Sequence, residues 1–110
     1  MSKNLGPYTS GERPPPLAYQ HLTVDGAPID LAGMNGYFVY RRADDPPVVR
    51  LAPVTDGPAG EQTYEWVDAD LAIPGLYRAE LWAGSFSGIK LASVSYVFSV
   101  RAALAIPPWT

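Results

Sequence analysis

A chain of 110 residues has room for one domain and one core, burying roughly 60–70% of the surface its unfolded form would expose. Apolar residues make up 47% of it and charged residues 17%, which excludes a disordered composition, and the lack of cysteine excludes a disulfide framework or thiolate metal site. A formal net charge of −3 argues against nucleic acid as a partner, because displacing counterions from a phosphate backbone takes clustered Lys and Arg.

Twelve prolines and ten glycines oppose long helices, so short strands with frequent turns are expected. No stretch of about 18 apolar residues is present to cross a membrane. Met1 to Pro7 has no apolar core of the kind a leader peptide needs. The sequence therefore predicts synthesis in the cytoplasm and no membrane partner.

Residues 1–16 are polar and rich in Gly and Pro, ending in Pro14, Pro15 and Pro16, and predict an extended arm without a hydrogen-bonded ladder. From Leu17 to Val24 apolar and polar residues alternate, as in a strand with two unlike faces. Asp25-Gly26 marks a turn. Tyr37 to Arg42, the densest aromatic and β-branched run, predicts a central strand.

Asp44-Asp45-Pro46-Pro47 ends that strand, and Val48 to Val54 reads as one short edge strand. Beyond the turn cluster 56–60, Gln62, Tyr64 and Trp66 share one face and predict core. Asp68 to Gly75 has room for a single helical turn, which Asp68 could cap, closed by the Pro74-Gly75 corner. In Leu76 to Ala83, Tyr77, Ala79 and Leu81 face one way and Arg78 and Glu80 the other. A hairpin loop, Gly84 to Gly88, leads to a strand over Lys90 to Arg101 with Ala92, Val94, Tyr96, Phe98 and Val100 on one face. Residues 102–110 are apolar, broken by Pro107-Pro108, and leave the sheet.

About seven short strands at roughly 8–12-residue spacing predict a β-sandwich over residues 17–101 with extended arms at both ends, a barrel being the alternative. Chemistry-bearing groups are few. His21 is the single histidine, read as a partly exposed polar residue on the first strand; a small hydrolase would rest on it and scattered aspartates alone. Asp44-Asp45 and the pair Asp68 and Asp70 read as turn chemistry, since a calcium loop supplies more oxygen ligands at regular spacing. No catalytic residue, metal or cofactor is expected.

Two features point to interaction instead. Pro14 to Pro16 at one end and Leu104 to Trp109 at the other would leave apolar surface in water unless a partner covers it or Ile106 and Trp109 fold back. Phe86 sits at a hairpin tip, where an aromatic either anchors a contact or tucks in as a plug. Candidate partner-binding residues are thus Pro14, Pro15, Pro16, Phe86, Ile106 and Trp109. A sugar-binding sandwich is the rival, with Trp66, Trp82 and Tyr64 as stacking aromatics.

The segment Pro74-Gly75-Leu76-Tyr77-Arg78-Ala79-Glu80 resembles the Gly-x-Tyr-x-Cys strand of immunoglobulin domains, Tyr77 standing at the tyrosine-corner position and Ala79 where the cysteine would be. Together with Asp25 to Leu31, Tyr37 to Arg42, Thr63-Tyr64-Glu65-Trp66 and Phe98-Ser99-Val100-Arg101, it is similar in order to small Ig-like structural proteins of tailed bacteriophages, related in pattern to the N-terminal domain of siphophage baseplate upper proteins. The resemblance implies an immunoglobulin-like sandwich in a non-enzymatic virion protein. Its partners would be capsid, head-to-tail connector or tail subunits, and many copies would sit on a symmetric assembly.

Overall fold

The computed structural model describes residues 2–105. The contacts expected at Ile106 and Trp109 lie outside the described residues.

Two sheets form a β-sandwich. The larger has the order β1-β10-β8-β4-β5, from Ser2–Asn4 (β1), Ser95–Arg101 (β10), Gly75–Gly84 (β8), Asn35–Arg42 (β4) and Val48–Leu51 (β5). Tyr8–Thr9 (β2) also pairs with β10, and Lys90–Ala92 (β9) with β8. The smaller sheet runs β3-β7-β6, from Leu17–Gln20, Glu61–Tyr64 and Val54–Asp56.

Strict alternation makes the large sheet two-faced. On β8, Tyr77, Ala79, Leu81 and Ala83 are buried while Leu76, Arg78 and Trp82 are exposed. On β4, Phe38 and Tyr40 point inward and Tyr37 and Arg41 outward. The core between the sheets is mostly aromatic: Phe38 stacks on Tyr64 at 4.2 Å and Tyr77 on Phe98 at 5.0 Å, while Trp66 meets Phe98 edge-on at 5.8 Å. The expected core face of Gln62, Tyr64 and Trp66 is fully or almost fully buried.

Several expectations need correction. Within residues 1–16 the chain is not merely a lead-in: β1 and β2 run parallel to β10, and Tyr8 packs edge-on against Trp66 and Phe98. Leu5 to Pro7 and Ser10 to Pro16 stay outside the ladders. The span 48–54 is two strands in different sheets, with Ala52-Pro53 crossing between them because proline lacks the donor needed to continue a ladder.

The single strand expected over 90–101 is interrupted at Ser93-Val94. There Ser93 Oγ accepts from Leu81 N (2.9 Å) and donates to Val94 O (2.8 Å), so a side chain takes the place of a ladder bond. The period slips at that point, leaving Ala92 and Val94 exposed while Tyr96, Phe98 and Val100 keep the inward face.

Edges are blunted by composition. The edge strand β5 has four residues, with Pro46-Pro47 before it and Pro53 close behind, and β3 follows directly on Pro16.

Candidate binding face

Two polar clusters are buried between the sheets. The first surrounds Asp70, which is 2% exposed in the 3-10 turn Asp68–Leu71. Its Oδ1 accepts from Tyr40 OH (2.8 Å) and Arg50 Nε (3.2 Å), and its Oδ2 from Tyr64 OH and Val67 N (3.0 Å). Four donors, one of them a guanidinium, satisfy the carboxylate where water is absent. Burial, together with the bond to Asp70, pushes the Tyr40 hydroxyl up to about 12 and holds Tyr64 protonated well above the usual tyrosine range.

Sequence reasoning put both Asp68 and Asp70 in turn chemistry. Asp68 makes no cap; it is exposed, 3.7 Å from Arg13. Asp70 does bond to a nearby amide, that of Val67, and to the hydroxyl of nearby Tyr64, but Tyr40 and Arg50 come from distant strands, so their part in the cluster was not announced by the local sequence.

The second cluster corrects the reading of His21. The residue lies just past β3 and is 3% exposed, with Nε2 at 2.5 Å from Gln62 Oε1. Gln62 Nε2 donates onward to Ala52 O and Trp82 O, both at 3.0 Å. Both clusters are fully engaged with the protein itself and tie sheet to sheet.

The outward face of the large sheet is different. Tyr37 on β4 stands in register with Leu51 on β5 and with Trp82 on β8, and Val39 with Val49 and Glu80. Leu51 is 73% exposed, Val49 60%, and Tyr37 and Trp82 38% each. Beyond the end of β8, Phe86 projects at 98% exposure, which resolves the choice between anchor and plug in favour of a projecting side chain.

Between the Phe86 loop and this row lies a hollow of about 420 Å³, lined by Tyr37, Val39, Val49, Trp82 and Phe86 with Asn35, Ser85 and Lys90 at its margin. Lys90 Nζ donates to Phe86 O (3.0 Å), bracing the loop, and Trp82 Nε1 donates to Glu80 Oε1 (3.2 Å), fixing the indole. A mostly apolar concavity with a few polar groups at its rim has the character of a ligand or partner site.

Of the candidate partner-binding residues that lie among the described residues, Phe86 alone belongs to this face. Pro15 and Pro16 are exposed and Pro14 is half-buried, but they sit near the turn at Leu71, where Gly11 N donates to Leu71 O. That is the end of the sandwich where β8 begins, whereas Phe86 lies past its other end, about 30 Å along the strand. Trp82, named among the sugar-stacking aromatics, is available; Tyr64 and Trp66 are buried and cannot meet a ligand.

Tyr37, Leu51 and Val49 were missed. The run Tyr37 to Tyr40 is apolar throughout, so its alternation is hidden, and only pairing with β8 reveals which face each residue takes. No family model matches the chain, and a search of curated proteins gave no significant match.

Proposed function

We propose that this chain is a non-enzymatic binding domain that docks on other proteins through the outer face of its large sheet. One observation carries the proposal: the row Leu51, Tyr37, Trp82 lies solvent-exposed and in register across three strands, and Tyr37, Trp82 and Phe86 line one hollow. Contiguous apolar surface of this kind costs free energy in water, and aromatic anchors in desolvated pockets supply most of the energy of protein interfaces.

The strand arrangement favours an immunoglobulin-like sandwich. Tyr77 OH donates to Ile73 O at 2.5 Å, four residues upstream, and Ala79 is buried two residues further on, as in a tyrosine corner without its cysteine. The setting we propose is the virion of a tailed bacteriophage, at the capsid, connector or tail, a placement that rests on the order of sequence segments described above. Repetition on a symmetric lattice would let weak single contacts hold.

The test is incorporation. Trp82→Ala and Phe86→Ala, purified as folded protein, should enter particles poorly, while Val24→Ala, at a fully exposed site elsewhere, should enter normally. Normal incorporation of both face variants would refute the assignment.

The second reading, a carbohydrate-binding module, draws on the two adjacent exposed rings of Tyr37 and Trp82. The aliphatic lining from Val39 and Val49 suits an apolar side chain better than a hydroxylated ring, which needs more hydrogen-bond partners than the rim offers. Glycan-array binding abolished by Trp82→Ala would reverse that preference.

A further inference from the structure

Two rows below Tyr37 and Trp82, the same face carries an unusual pair. Arg41 on β4 and Arg78 on β8 are direct cross-strand partners, both exposed on the outer side. Directly opposed side chains have Cβ atoms about 4.5–5.5 Å apart, and like charges in that relation destabilise a sheet.

The other arginines have settled partners. Arg13, Arg42 and Arg50 pair with Asp68, Asp45 and Asp70, and Arg101 bonds to Thr9 Oγ1. Among the described residues, Arg41 and Arg78 have neither an ion pair nor a side-chain hydrogen bond. Glu80, the nearest acid along β8, turns its carboxylate to the Trp82 indole instead. A second hollow, of about 270 Å³, lies between these groups, bordered by Val39, Arg41, Pro47, Arg78 and Glu80.

We propose that Arg41 and Arg78 form a carboxylate-binding subsite, and that the occupant of the whole face is an extended acidic segment of a partner protein. Such a segment would place an apolar side chain in the Trp82 hollow and an Asp or Glu between the two guanidiniums. The inference rests on the docking face proposed above and names its partner's chemistry.

Spacing and charge both argue for it. From the Tyr37–Trp82 row to the Arg41–Arg78 row is four residues of strand, about 13 Å, which matches positions i and i+4 on one side of an extended peptide lying along the strands. Two unneutralised guanidiniums in a chain of net charge −3 are a local reversal of sign, and a forked donor pair suits a carboxylate. Steering of this kind sets register and partner choice.

The test uses a blocked heptapeptide of Ser and Thr with phenylalanine at its second position and aspartate at its sixth, titrated into the labelled protein and followed by the Trp82 indole and arginine side-chain resonances. Both sets of resonances should shift together. The same peptide with lysine for aspartate should bind about tenfold more weakly or worse, the scale set by trading opposite for like charge. In the double variant R41Q/R78Q, the two peptides should bind alike, and the variant should melt no lower than the parent, since a repulsion has been removed.

Equal affinity of both peptides for the parent protein, with Trp82→Ala abolishing each, would overturn the carboxylate subsite and leave the docking face standing. Binding of neither peptide, with an acidic oligosaccharide such as an oligoglucuronate shifting the same resonances, would overturn the subsite's occupant and the protein-docking reading together.

Discussion

The two faces of the large sheet use the same kinds of side chain to opposite ends. On the inner face Tyr40 and Arg50, joined by Tyr64 from the smaller sheet, converge on one carboxylate, and the charges of Arg50 and Asp70 are paired. On the outer face Tyr37, Trp82, Arg41 and Arg78 repeat aromatic and guanidinium groups, and among the described residues the two guanidiniums have no ion pair. The contrast teaches that chemistry in this fold is separated by a single residue of register: odd positions of β4 face water and even positions face the core.

That contrast can be broken most severely at Asp70. Asp70→Ala leaves two buried tyrosine hydroxyls and a guanidinium without an acceptor, and we expect a loss of about 3 kcal/mol or more in equilibrium denaturation. A loss under about 1 kcal/mol would mean that water replaces the carboxylate and that the inner face is less closed than described.

Alkali probes the same cluster. Tyr40 and Tyr96, pushed up to about 12 chiefly by burial, stay protonated in the folded chain while tyrosines of the unfolded chain ionise near 10. The folded state then holds more protons, so stability is fully present below pH 10 and falls as pH rises from 10 towards 12. Absorbance titration of tyrosinate beside denaturation curves should show this, with the fall reduced in Tyr40→Phe.

Gly36 offers a test of the seam between faces. A Cβ there would meet Ala52 O at 2.0 Å and Gln62 Nε2 at 2.8 Å, so backbone and a bonded amide would both have to move. Gly36→Ala should cost about 1–3 kcal/mol and disturb the His21–Gln62 contact, visible in the histidine resonances. The smallest expected effect on stability is that of Trp82→Ala, below about 1 kcal/mol, because the side chain is already well exposed. A larger loss would show that the outer aromatics are structural.

Much of the layout was readable from period-two patterns where polar residues marked the second face. Gln62, Tyr64 and Trp66, and Tyr77, Ala79 and Leu81, took the faces their spacing implied. What stayed hidden depends on pairing between distant segments. Nothing near Ser2–Asn4 shows that it lies parallel to β10, and Ser93 interrupts its strand only because Leu81 N is there to be met. The binding face fell between these cases: Phe86 and Trp82 stood out as isolated aromatics, but their conjunction with Tyr37, Arg41 and Arg78 needs the β4–β8 register.

Oxidative footprinting of the protein free and within the virion particles proposed as its setting tests the central claim most directly. Tyr37, Trp82 and Phe86 should be labelled in the free chain and protected in the particle, with Val24 and Leu104 labelled equally in both. Unchanged labelling of Trp82 and Phe86 alongside new protection elsewhere would contradict the outer face as the surface that binds.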